Sequence, residues 1–434
     1  LWQGGLGLPE RDFYFNQEKG VATIRQEYVA HLGRILRLLG RQQRKADEVA
    51  RQVMTFETAL AKASRKLEDL RDPEKNYNRM TPGQFTGKCM PLVDWQRRLN
   101  EMSLRPDFVV VGQPEFFSAL NKQLKKTPVP ILKDYLRVHL LGGYAEQLGK
   151  TWDDEDFSFA GKVLAGQQQQ RPRWKRTLDE QEQAMGMVLG RIYVREYFPP
   201  SAKQRYVKLV EAIRSAYRDR IARLDWMSPA TKAKAREKLD AMTAKVGYPD
   251  RWKDYSTLVI GTNSYCENMM NAARWHFADM ISKFGKPVDR TEWEMTPQTY
   301  NAYYQAANNE IVLPAAIFSV PGHRDEELDD ALVYGYAGAS TIGHEITHGF
   351  DDEGRRFDGA GNLTNWWSAA DEKRFKKNAA AMVAQFNTYE PLPGLHINGE
   401  ACLGENLADY GGLLLGLDAF KQKEQYQQGA KVAG

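Results

Sequence analysis

The chain has 434 residues, 42% hydrophobic and 27% charged, an ordinary globular composition long enough for two or more domains. A formal net charge of +4 does not ask for nucleic acid, and no compact basic and aromatic patch suggests it. No apolar run approaches a membrane span. Cys89, Cys266 and Cys402 stand far apart without CxxC spacing, which excludes a cysteine metal site and a disulfide framework and leaves the redox compartment open.

The opening residues Leu1 to Pro9 are glycine-rich and loop-like. They carry no basic and apolar leader, so a targeting segment is expected to have been removed or never included. Apolar residues at three- and four-residue spacing then predict helices over 21–39 and 45–70, the second stopping before Asp72-Pro73. Further helices are expected at 92–100, 115–124 and 131–148, with 108–111 readable as strand or helix connection. Residues 167–173 have no periodicity and read as an exposed loop. Long helices at 178–197 and 202–224 are separated by Pro199-Pro200. Ser228-Pro229 opens another, with serine at the cap and proline at the first position, ending near Gly247-Tyr248-Pro249. Residues 1–249 are therefore expected to form a mostly helical domain.

The elements change after residue 250. A helix at 264–284 precedes two candidate strands, 300–305 and 310–313, arranged as a hairpin before a helical run over 331–350. The cluster Asp358-Gly359-Ala360-Gly361-Asn362 reads as a turn in preference to a calcium loop, and a helix at 368–387 precedes a last helix start near Glu405.

The 331–350 run carries His344-Glu345-Ile346-Thr347-His348. At roughly 100° per residue, histidines four apart lie about 40° apart on one face, so both imidazoles can reach one ion. Glu345 points to the flank, where a carboxylate can touch a metal-bound water without being a ligand. The competing reading is a helix with two surface histidines and a salt-bridging glutamate. Downstream, Glu405 and Asp409 again share a face in Gly404-Glu405-Asn406-Leu407-Ala408-Asp409. Two histidines and Glu405 leave a fourth zinc position open, as catalytic sites do. Asp409 suits a role behind a ligand, accepting a histidine N–H and fixing its tautomer. Alone, these carboxylates would read as a solvated helix face. His31, His139 and His276 read as ordinary helix residues, and His323 and His396 lie in loops.

These motifs together resemble the neprilysin family of zinc metallopeptidases. So do Asn301-Ala302-Tyr303-Tyr304, Asn309-Glu310-Ile311-Val312-Leu313-Pro314-Ala315, Gly349-Phe350-Asp351-Asp352, Trp366-Trp367, the opening Gly4-Gly5-Leu6-Gly7-Leu8-Pro9 and the segment 245–250. The likeness spans nearly the whole chain. It implies a mainly α, two-lobed fold with a small β component, a thermolysin-like zincin catalytic lobe over 250–434 and a helical covering domain over 1–249. It implies one Zn²⁺ per chain held by His344, His348 and Glu405, with Glu345 as catalytic base and Asp409 orienting a histidine. Asn301 and the backbone of Ala302 would bind substrate main chain, and Ile317 would line the specificity pocket, where neighbouring Gly322 departs from the family's bulky residue.

The implied activity is hydrolysis of short peptides on the amino side of hydrophobic residues, by Glu345-assisted attack of a zinc-bound water. The partners would be peptides, with no nucleic acid, and the location extracytoplasmic, periplasmic or secreted. In the family the chain continues to a histidine that stabilises the oxyanion and an arginine that grips substrate. Here the last histidine is His396, so the chain is expected to be a fragment or processed form, with its catalytic domain C-terminally incomplete. The alternative is a non-catalytic, zinc-containing peptide-binding module or an inactive fragment of such a peptidase.

Overall fold

The computed structural model describes residues 1–428. Helices dominate and strands are few and short, the mainly α class with a small β component that the family resemblance implies. The chain divides into two compact units, one of Leu1–Ala184 with Tyr255–Pro287, the other of Met185–Asp254 with the chain from Val288 on. This is a different cut from the expected boundary at 249/250. The helix Tyr265–Ser282 belongs with the first unit, where His276 Nε2 lies 3.0 Å from the carbonyl of Ala184. The helix Arg173–Tyr197 is interrupted at Met185 (φ −152°, ψ 40°), where the division falls.

In the first unit, helices Lys19–Leu38 and Gln43–Ala63 pack as a pair. Leu32, Ile35 and Leu36 on one and Ala46, Val49, Ala50 and Val53 on the other supply the buried stripe, at the helical spacing of an amphipathic face. Gly40, at φ 86°, ends the first helix in the left-handed region that glycine alone enters freely. The run expected over 45–70 is broken at Ser64, and Leu67–Leu70 is a separate turn of helix.

Glu57 sits inside this unit with no exposed surface. It accepts hydrogen bonds from Tyr14 Oη (2.7 Å), Tyr28 Oη (2.9 Å) and the Gly7 amide (3.2 Å), and His139 Nε2 lies 2.9 Å away. Burial, and after it the Glu57 charge, push both phenols well above their usual range. Strand β1 (Asn78–Met80), which the sequence did not announce, pairs antiparallel with β2 (Val109–Val111), and that pairing settles the 108–111 segment as strand.

In the second unit, the helix Pro200–Arg223 runs through the core with Tyr206, Leu209, Val210, Ile213 and Ala216 buried. Ser228 caps the next helix by accepting from the Thr231 amide, with proline at the first turn. That helix stops at Ala241, well before the predicted end near Gly247. Thr243–Gly247 instead forms β3, parallel to β5 (Glu310–Pro314), which pairs antiparallel with β4 (Tyr303–Gln305) in the order β3-β5-β4. A parallel strand needs a partner brought by a long crossover, so local spacing continues the helix where the fold ends it. The expected hairpin is present as β4 and β5, turned at Asn309, whose φ of 48° is left-handed.

The run predicted as one helix over 331–350 is wound in three ways: an α turn Asp330–Val333, a π-helix Tyr334–Gly343, and an α segment His344–His348. Such wider-wound stretches are rare and gather at functional sites. The α-helix Leu403–Phe420 packs along this run. Their approach is set by small residues, since a Cβ on Gly412 would lie 2.4 Å from the Ala339 carbonyl oxygen and one on Gly416 2.4 Å from the Ala339 Cβ. The Asp358 cluster is a turn: Asp358 Oδ1 accepts from the amides of Ala360 and Asn362.

Candidate metal centre

His344 and His348 occupy the short α segment, whose 3.6-residue winding places them on one face. Their rings stand 4.6 Å apart and nearly perpendicular, with Nε2 facing Nε2 at 3.0 Å. Glu405, in the first turn of the crossing helix, brings Oε2 to 3.4 Å from His344 Nε2 and 3.7 Å from His348 Nε2. Ligands about 2.0–2.1 Å from a tetrahedral ion would be separated by roughly 3.3 Å. Among the described residues this trio forms the one His, Cys, Asp and Glu group gathered tightly enough to hold a metal ion.

Each histidine is held from behind. Asp409 Oδ1 lies 2.7 Å from His344 Nδ1, and Asp351 Oδ2 lies 2.8 Å from His348 Nδ1. A carboxylate at Nδ1 fixes the proton there and turns the Nε2 lone pair inward. Two lone pairs facing each other at 3.0 Å with a carboxylate beside them repel unless a cation sits among them. The electrostatics agree. Burial opposes a charge on His344, yet its hydrogen bond to Glu405 and the charges of Glu345 and Asp409 outweigh that and raise it to about 9. His348 is also raised: burial opposes its charge, and Asp351, through hydrogen bond and charge, overcomes it.

Glu345 is buried, and its Oε2 has no hydrogen-bond partner among the described residues. Burial pushes its carboxyl up to about 7, with the Glu405 charge adding and the two histidines opposing. A buried, partnerless carboxylate oxygen is costly, and beside a cation site it fits an acceptor awaiting a ligand's proton. The donor set and this orphaned oxygen together fit zinc.

The structure thus brings together five of the sequence-derived residues: His344, His348, Glu405, Glu345 and Asp409. The other three flank the three-stranded sheet, Asn301 and Ala302 just before β4 and Ile317 in the turn after β5. Asn301 is exposed and turns its Oδ1 back onto the Ala302 amide at 2.8 Å. Ala302 is buried in the core of the unit, and Ile317 is half-buried against it. The edge strand β4 runs beside the metal helix, with the Tyr304 ring 3.5 Å from where a Cβ on Gly349 would stand. Asp351 was given no role in the sequence reading. Its place three residues after His348 was the available signal: the helix ends at His348, and the turn that follows brings the carboxylate back to the ring.

Two histidines on an α turn, a glutamate from a crossing helix and a buried carboxylate with an unpaired oxygen make a candidate metal centre of the zincin type. Two sequence models of Peptidase family M13 match the chain, over residues 1–249 and 301–434. The chain belongs to Peptidase family M13, the neprilysin family of zinc metallopeptidases. It is 32% identical to an endothelin-converting enzyme homolog of Locusta migratoria over 98% of its length and 60% of the relative's. It is 31% identical to endothelin-converting enzyme 1 of Bos taurus over 96% of its length and 57% of that relative's. Among solved structures it resembles the Mycobacterium tuberculosis zinc metalloprotease Zmp1 in complex with inhibitor, with 37% identity and a TM-score of 0.90 over 99% of this chain and 65% of that one. PepO from Lactobacillus rhamnosis HN001 gives 27% identity and a TM-score of 0.89, covering 97% of this chain and 67% of that one. The chain therefore spans somewhat under two thirds of the length of these curated relatives. Among the described residues, no helix is long and apolar enough to cross a membrane.

Proposed function

We propose that this chain carries the metal centre of a zinc-dependent peptidase that hydrolyses short peptides, with one Zn²⁺ held by His344, His348 and Glu405. The observation that carries the reading is the buried Glu345 carboxylate, its Oε2 unpaired, next to the converging Nε2 atoms. Zinc bound there would supply Lewis-acid polarisation of the scissile carbonyl and an acidified water. Glu345 would act as general base, taking a proton from the attacking water on its free oxygen and passing it to the leaving amine. Asp409 and Asp351 would hold the imidazoles in register throughout.

Substrate would lie extended along the open edge of β4, gaining main-chain hydrogen bonds with little sequence demand. Asn301 and the backbone of Ala302 are proposed to contact it there. With the Ala302 amide held by the Asn301 side chain, binding would exchange that internal bond for one to the peptide. Ile317, following β5, is proposed to line the pocket for a hydrophobic residue on the carboxyl side of the cleaved bond. An extracytoplasmic location rests on the family likeness, and periplasmic or culture-fluid recovery of the full-length protein would test it.

The test is cleavage of an internally quenched hydrophobic peptide by the zinc-loaded chain, with and without chelator, beside the Glu345→Gln variant. Chelator-sensitive turnover that falls about 10²–10⁴-fold in the variant, with zinc binding retained, supports the reading. Bound zinc and bound peptide without turnover in the parent chain would favour the alternative, a non-catalytic peptide-binding module.

A further inference from the structure

Behind the metal helix lies a lysine that the site does not use directly. Lys238, on the helix Pro229–Ala241, is 1% exposed. Its Nζ donates to the carbonyl oxygens of Gly354 at 2.6 Å and Phe357 at 2.7 Å. The same Nζ lies 5.7 and 5.6 Å from the ring centroids of Tyr304 and Phe350. These carbonyls belong to the loop that leaves the metal helix. The same loop carries Asp351, whose Oδ1 accepts from the amides of Glu353 (2.9 Å) and Gly354 (2.7 Å) while Oδ2 faces His348.

The backbone of Lys238 is tied as well. Its carbonyl oxygen accepts from Asn309 Nδ2 at 3.0 Å, the same amide group reaches the Gly359 carbonyl at 3.1 Å, and Asn309 Oδ1 accepts from Tyr304 Oη at 3.1 Å. Asn309 is wholly buried. The chain therefore runs without a break from the edge strand β4, through Tyr304 and Asn309, to Lys238, to the Gly354 and Phe357 carbonyls, to Asp351 and to His348. A buried lysine is expensive to keep unless its donors are used, and here two of them close the loop that orients a ligand.

We infer that Lys238 is a positioning residue for the metal centre: its two hydrogen bonds to the 354–357 carbonyls hold the loop so that Asp351 already faces His348 before metal arrives. The inference rests on the reading of His344, His348 and Glu405 as the zinc ligands. It assigns Lys238 to metal affinity and not merely to packing, because the group it fixes stands directly behind a ligand, where a lost partner typically costs 10–100-fold in affinity.

The experiment is a zinc-chelator competition on the 434-residue chain, its Lys238→Met and Lys238→Arg variants, and both changes in an Asp351→Ala background. Lys238→Met should weaken zinc about tenfold, Lys238→Arg should restore most of that, and the Met change should add little once Asp351 is gone, the signature of a shared path in a double-mutant cycle. Equal zinc affinity in parent and Lys238→Met, or full additivity with Asp351→Ala, overturns the inference. Amide exchange in the zinc-free parent gives a second reading that needs no variant. Glu353 and Gly354 should already be protected, and exchange there at unprotected rates would overturn preorganisation. A parent chain that binds no zinc sinks the proposed function itself, a separate outcome from either of these.

Discussion

Gly343 and Gly412 meet backbone to backbone: a Cβ on Gly343 would fall 2.8 Å from the Gly412 Cα, and one on Gly412 would fall 2.8 Å from the His344 amide nitrogen. This crossing fixes how far the histidine segment stands from the helix that carries Glu405 and Asp409. The obstacles at Gly412 are backbone atoms, which cannot swing aside as a side-chain tip can. Gly412→Ala should therefore push the two helices apart, destabilising the second unit by about 1–3 kcal/mol and weakening zinc. Urea denaturation and chelator competition check it, and a variant matching the parent in both would show that the crossing has slack.

The two carboxylates behind the histidines should behave differently. Asp409 is largely exposed, whereas the Asp351 side chain is 5% exposed and also accepts two loop amides. Either change to alanine should weaken zinc by about 10–100-fold. Only Asp351→Ala should also lower the stability of the metal-free protein, because it strands buried donors, while Asp409→Ala should stay within about 0.5 kcal/mol of the parent. Thermal unfolding with chelator present separates the two.

Lys238 also makes stability depend on pH. Burial pushes its amine down to about 7 from an ordinary 10.5, against the pull of the facing Asp351 and Asp358 charges. Between those values the unfolded chain carries a proton that the folded chain lacks, so this group's contribution to stability rises as pH climbs from about 7 toward 10.5. Comparing urea midpoints of parent and Lys238→Met across pH 7 to 9.5, an interval taken from that shift, should show the parent gaining on the variant. A constant difference would show that the amine keeps its proton.

In the first unit, Glu57 gathers Tyr14, Tyr28, His139 and the Gly7 amide with no exposure to water. Glu57→Ala leaves these donors facing a cavity and should cost roughly 3–5 kcal/mol. Zinc affinity should be unchanged, since the proposed ligands all lie in the other unit. A fall in zinc affinity matching the loss of stability would contradict that independence.

The candidate metal centre was legible because its information is local. His344 and His348 sit one helical turn apart, and so do Glu405 and Asp409, so spacing alone shows which side chains share a face. What brings one pair to the other is not local. It depends on Gly343, Ala339, Gly412 and Gly416, and glycine carries no pattern by which a helix crossing can be read. The π winding over Tyr334–Gly343 was invisible for a related reason, since a stretch of small and apolar residues looks much the same at either pitch. Strand β3 was missed because its partner β5 lies far along the chain. Lys238 reads as one more charge on the polar side of a helix, and only the returning loop makes it an interior group.

The first compact unit is not finished when its long opening stretch ends at Ala184; it closes with Tyr255–Pro287, after the whole of Met185–Asp254 has intervened. On a ribosome moving at about 5–20 residues per second, the opening stretch emerges several seconds before the helix that completes it. During that interval the surface destined for Tyr265–Ser282 is bare, an invitation to chaperones or to a neighbouring nascent chain. The same discontinuity governs dissection of the gene. A stop codon after residue 249 would deliver the first unit without its closing helix and with a stranded piece of the second. Joining residues 1–184 directly to 255–287 would be the sounder way to express it alone.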